Sequence, residues 1–190
     1  YSDIDILLLS PDDIGTEVST KIDRLVAMLW DVGLEPALAV RSVDECLEAA
    51  HDHTVASSLL EARLLIGNND LKDTPIAVVN KLWSQLDFYE IKIEEAKNRY
   101  LHHNATEYNL EPNIKTAPGG LRDIHIIGWV TKRYFRVGKL YDLVQQSFLT
   151  EKEFDELSFA ESYIWQNRHH LHGLPGRNET RLLFDYQRDI

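Results

Sequence analysis

A chain of 190 residues, 44% apolar and 27% charged, is long enough for one large domain or two small ones and has the composition of an ordinary globular protein. Its 31 acidic against 20 basic residues give a net charge of −11. That excludes the basic stripe of a general nucleic-acid binder, but not a nucleotide whose phosphates are offset by metal and a few local cations. No apolar run reaches membrane-spanning length, and no signal peptide is expected. The single cysteine, Cys46, cannot form an internal disulfide and suits a reducing, cytoplasmic setting. The chain opens on Tyr1, inside a candidate strand, and reads as a piece of a longer protein.

The run from Ile4 to Leu9 reads as a buried strand, followed by a turn at Ser10-Pro11-Asp12-Asp13. Val18, Ile22, Leu25, Val26 and Leu29 recur at helical spacing, so a helix is expected from Thr16 to Trp30, stopped at Gly33. Leu34 to Val40 reads as a second strand. Ser42 and Glu45 form a capping-box pattern, predicting a helix to about Ala50. A further helix is expected from His53 to Ile66, stopped by Gly67. This opening third alternates as an α/β layer, and two strands alone do not make an independent sheet. Beyond Asn68 the strand signals nearly vanish. Helices are expected from Thr74-Pro75, from Asp87–Glu90 to His102, from Gly120 to Val137, over Leu140–Gln146, and from a Thr150/Glu153 capping box to about His170. Gly173 to Gly176 then breaks the chain before a short apolar segment, Arg181–Phe184, and a last helix from Asp185. The expected architecture is a truncated α/β or α+β sheet domain over residues 1–67, followed by an all-α helical bundle over 68–190.

Three stretches carry candidate chemistry. Asp3 and Asp5 lie two apart in the first strand, so their carboxylates share one face and repel unless a cation compensates them. Mg²⁺, a hard cation that prefers carboxylate oxygen, fits that demand. Glu35, at the start of the second strand, is a third carboxylate for the same group where the two strands are neighbours, and otherwise a strand-edge side chain facing solvent. Arg63, in Glu61–Gly67, is a cation near a helix end that could reach phosphates or simply answer the helix dipole. The long loop from Asn109 to Gly119 feeds Gly119-Gly120 into a helix start. Free backbone N–H groups there would favour an anion, with Lys115 and Arg122 adding charge on both sides. The glycine spacing is not that of a Walker-A loop. The histidines at 102/103 and 169/170/172 read as solvated helix ends rather than zinc ligands.

Tyr1-Ser2-Asp3-Ile4-Asp5-Ile6-Leu7 resembles the Asp-x-Asp half of a nucleotidyltransferase signature. Together with Leu29–Glu35, Glu61–Gly67, Tyr108–Pro112 and Pro118–His125, it resembles the bacterial PII uridylyltransferase/uridylyl-removing family, and Arg181–Asp185 is similar to that family's helical region. The resemblance implies transfer of UMP from UTP to a tyrosine of the PII signalling protein, with Mg²⁺ on Asp3 and Asp5 and release of pyrophosphate. Glu35 or one of the aspartates would take the tyrosine's proton. Arg63, Lys115, Gly119, Gly120 and Arg122 would contact the nucleotide. It also implies, in the full-length protein, a metal-dependent HD domain that removes UMP and glutamine control through ACT domains, neither of which is visible in this chain. The Gly-Ser loop of the signature is likewise missing, so little activity is expected of this piece alone. An ATP-using relative acting on another protein, and a non-catalytic module on a vestigial nucleotidyltransferase fold, are the alternatives.

Overall fold

The computed structural model describes residues 4–10, 14–34, 36–68, 71, 73–103, 109–135, 140–173 and 179–188. Contacts divide the chain into two compact units, Tyr1–Leu82 and Trp83–Ile190. The described residues are mostly helical, with one small parallel sheet, an α+β composition.

In the first unit, β1 (Ile4–Leu9) pairs in parallel with β2 (Pro36–Arg41), in a register that sets Ile4 opposite Pro36 and Leu9 opposite Arg41. Parallel neighbours need a crossover, and α1 (Thr16–Asp31) supplies it. The expected stop holds: Gly33 takes a positive φ of 80°, which glycine adopts without a Cβ penalty. The expected buried strand does not. No β1 residue is fully buried, Ile4 is exposed, and α1 buries no residue. Two strands with one helix against them have too few layers to cover both faces of a parallel pair.

The core of this unit sits instead among α2 (Val43–Ala49), α3 (His53–Glu61) and α4 (Thr74–Leu82), built from Cys46, Ala50, Ala56, Leu59, Leu60, Val78 and Val79. The Ser42 capping box forms as read. The Glu45 N–H donates to Ser42 Oγ at 3.2 Å, and the Ser42 N–H donates to Glu45 Oε2 at 2.7 Å. Such a cap contributes about 1 kcal/mol. Helix α3 ends at Glu61, five residues before the expected stop. Ala62 turns extended while its N–H donates to the Leu59 carbonyl, which tightens the last turn. Arg63, Leu65 and Ile66 therefore lie exposed in the following loop, not on a helix. Helix α4, grouped with the helical domain in the sequence reading, packs against α2 and α3.

The second unit is built on α5 (Gln85–His102), α6 (Leu121–Phe135) and α8 (Glu151–Gly173), with α7 (Asp142–Gln145) and α9 (Phe184–Gln187) as single turns. Helix α5 begins two residues before Asp87. The cap is Ser84, whose Oγ accepts from the Asp87 N–H at 3.0 Å, so Asp87 is the third helical residue rather than the opener. Phe88, Leu121, Ile126, Trp129, Leu143 and Leu171 form its core. A charge lies inside that core. Lys92 is fully buried, its Nζ 2.8 Å from Glu95 Oε2 and 4.8 Å from the Trp129 ring centre. Ion pairing and the aromatic face together offset the cost of dehydrating the ammonium. Buried Arg133 ties the entry of α5 to α6 by donating its Nε to the Trp83 carbonyl at 3.1 Å.

Candidate functional site

Asp5 stands exposed near the start of β1, opposite Ala37. Its expected companions, Asp3 and Glu35, lie outside the described residues. Arg63 is exposed beyond α3. These four candidates belong to the first unit, and Lys115, Gly119, Gly120 and Arg122 belong to the second. Among the described residues no three His, Cys, Asp or Glu side chains converge as a metal group.

The segment from Asn109 to Asp123 is held by many hydrogen bonds. Asn113 organises its first turn: Oδ1 accepts from the N–H groups of Lys115 and Thr116, each at 3.0 Å, and Nδ2 donates to Thr180 Oγ1. Such Asx turns let a side chain stand in for a backbone acceptor. The segment after α8 returns to hold the loop from outside. The Ile114 N–H donates to the Thr180 carbonyl, and the Leu182 N–H donates to the Pro112 carbonyl. Phe184 N–H donates to Glu111 Oε1 at 2.9 Å.

The start of α6 differs from the open anion cradle expected of Gly119-Gly120. The N–H groups of Gly120, Leu121, Arg122 and Asp123 donate to the carbonyls of Ala117, Ile114, Lys115 and Gly120, and the Gly119 N–H donates to Asp123 Oδ2. The loop folds back on the helix start and fills the positions an anion would take. Gly119 is required for its φ of 76°, and Gly120 because a Cβ there would meet backbone on two sides.

Two cations are brought together. The Arg122 N–H donates to the Lys115 carbonyl at 2.8 Å, so the two residues are backbone neighbours although seven apart in sequence. Arg122 rests its guanidinium 5.2 Å from the Trp129 ring centre. Among the described residues neither Lys115 nor Arg122 forms an ion pair. Asp123, the adjacent carboxylate, is already engaged. Its Oδ1 lies 2.5 Å from Arg99 Nη2, and its Oδ2 accepts from the Tyr100 hydroxyl at 2.7 Å. Arg99 also donates Nη1 to the Thr116 carbonyl at 3.0 Å, and His103 Nε2 lies 3.1 Å from Thr116 Oγ1. Arg99 was missed in the sequence reading because its partner lies 24 residues on, and no local pattern marks such a pair.

Burial, and then the hydrogen bond to Asp123, raise the Tyr100 phenol above its ordinary value of 10.0. Tyr100 thus holds its proton more tightly folded than unfolded. Its stabilisation is complete below pH 10.0 and is lost as pH rises through the raised value. Denaturation midpoints measured against pH are expected to fall in that alkaline range, and Tyr100→Phe to remove part of the fall.

The described residues thus make an α+β protein, a small parallel sheet in the first unit and packed helices carrying a bonded loop in the second. The chain belongs to the GlnD PII-uridylyltransferase family, which it matches over residues 87–190, more than half its length. It is similar to the bifunctional uridylyltransferase/uridylyl-removing enzymes of Psychrobacter cryohalolentis and Psychrobacter arcticus, each 75% identical over all 190 residues. The corresponding enzyme of Acinetobacter baumannii is 50% identical over 192 residues. The chain spans 21–22% of the length of these relatives. No solved structure matches it. No described helix is long and apolar enough to cross a membrane.

Proposed function

We propose that this chain is part of a protein uridylyltransferase that moves UMP from UTP to a tyrosine of the PII signalling protein and releases pyrophosphate. The observation that carries the reading is the family match, with identity to named uridylyltransferases running through the whole chain. Asp5, on the strand that opens the sheet, and Asp3, two residues before it in sequence, offer hard oxygen donors of the kind Mg²⁺ takes. When bound, that ion supplies charge neutralisation for a triphosphate. Asp5 is exposed and so accessible to it. Glu35, or one of the aspartates, accepts the proton of the tyrosine hydroxyl. The phenolic oxygen then bonds to the α-phosphorus, the bond to the bridging oxygen breaks, and pyrophosphate leaves with that electron pair. Lys115 and Arg122 hold phosphate oxygens, with Arg63 as a further cation. Gly119 and Gly120 contribute through the shape they allow the loop. The cytoplasmic setting and glutamine control of the whole protein belong to the same reading.

The test is competition between UTP and ATP in the natural full-length protein that carries this chain. Labelled UTP is expected to mark a PII tyrosine, with excess ATP competing poorly. A preference for ATP would overturn the choice of base.

A further inference from the structure

We propose that Arg99, Tyr100 and Asp123 are positioning residues, forming a latch that fixes the Lys115–Gly120 loop in the shape that receives a nucleoside triphosphate. The proposal rests on the reading that Lys115 and Arg122 bind the nucleotide's phosphates.

Three observations carry it. First, Asp123 does not cap the N–H groups of α6 itself, since those of Leu121, Arg122 and Asp123 are already given to Ile114, Lys115 and Gly120. Its oxygens accept instead from Arg99, Tyr100 and Gly119, groups on another helix and on the loop itself. Second, Arg99 spans both parts, binding Asp123 with one nitrogen and the Thr116 carbonyl with the other. The latch therefore grips the loop at Thr116 and at Gly119, on the two sides of Pro118. Between Asn113 and this grip, Lys115 is held at both its N–H and its carbonyl. Third, the arrangement decides which charges stay available. Arg99 and Asp123 neutralise each other with little exposure, at 11% and 20% for their side chains, so the pair is only weakly screened by water. Asp123 is thereby withheld from its neighbour Arg122. Lys115 and Arg122, backbone neighbours that form no ion pair among the described residues, keep their charges open to an anionic ligand. The latch thus preorganises the site for an anion before the anion arrives, and a preorganised site binds more tightly.

Loss of a preorganising contact appears mainly in affinity. In the full-length protein, Asp123→Asn is expected to raise KM for UTP, and the dissociation constant for Mg·UTP, by about tenfold, the usual scale for partners one layer behind the ligand. The fall in kcat is expected to be smaller than the rise in KM. Tyr100→Phe, which removes one donor and leaves the Arg99 pair, is expected to give a rise of a few fold, and Asp123→Glu to recover part of the lost affinity. If Asp123→Asn does not fold, judged by the loss of a cooperative melt, Tyr100→Phe decides. Unchanged UTP affinity in a folded Asp123→Asn or Tyr100→Phe protein overturns the latch, as does a fall in kcat at unchanged KM. The underlying reading fails separately, if Lys115→Ala/Arg122→Ala binds Mg·UTP as tightly as the wild type.

Discussion

Gly120→Ala is expected to destabilise the second unit by about 3 kcal/mol, an effect out of proportion to one methyl group. A Cβ at this position would lie 2.8 Å from the Ala117 carbonyl oxygen and 2.9 Å from that of Ile114, with the Lys115 carbonyl carbon at 3.2 Å. All three are backbone atoms, so no side chain can swing aside. The two oxygens are also acceptors, Ala117 for the Gly120 N–H and Ile114 for the Leu121 N–H. Making room means stretching both bonds, each worth about 1 kcal/mol net, on top of an overpacking cost of about 1–3 kcal/mol. Gly119 is the internal control. Nothing lies within 4 Å of a Cβ there, and its φ of 76° sets the whole cost, about 1–2 kcal/mol for a residue other than glycine. Denaturant titration of both variants is expected to show Gly120→Ala losing more than Gly119→Ala. The reverse order, or a Gly120→Ala change below about 0.5 kcal/mol, would contradict the packing described.

The loop illustrates what a sequence makes legible. Two adjacent glycines before a helix announce a special backbone, and Lys115 and Arg122 announce positive charge. Those signals are local, and both fall where the loop feeds α6. Its internal bonding was not legible, because Arg99, Tyr100, Thr180 and Leu182 reach it from 17 to 70 positions away in sequence. The free N–H groups expected at the helix start are consequently occupied. The capping pattern at Ser42 formed as read, and the one read at Asp87 slipped by three residues, the cap being Ser84. The apolar run of β1 was misread as buried because hydrophobicity states a preference for burial, whereas the layers that satisfy it are set by tertiary neighbours. The same holds for α1, whose apolar stripe is legible although none of it is fully covered. In Glu61–Gly67 a good helical pattern yielded to an extended Ala62, so Arg63 emerged in a loop. Family membership was the most legible property, since Pro118–His125 combines residue types that chance rarely brings together.

The carboxylates opening this chain are proposed to serve a metal-dependent transfer of UMP. Asp5 is exposed near the start of a parallel strand, a position that presents a carboxylate to an incoming ion rather than to a core. An asparagine there keeps the size of the side chain and its ability to accept hydrogen bonds, but removes the charge. The lost stabilisation of a triphosphate amounts to several kcal/mol, roughly 1,000-fold in rate. The most direct measurement is the Mg²⁺-dependent rate of labelled UMP incorporation into PII by the full-length protein, wild type against Asp3→Asn/Asp5→Asn. A fall of about that size is expected, with the melting transition of the protein kept, and a folded double variant that transfers UMP at the wild-type rate would overturn the metal role of these carboxylates.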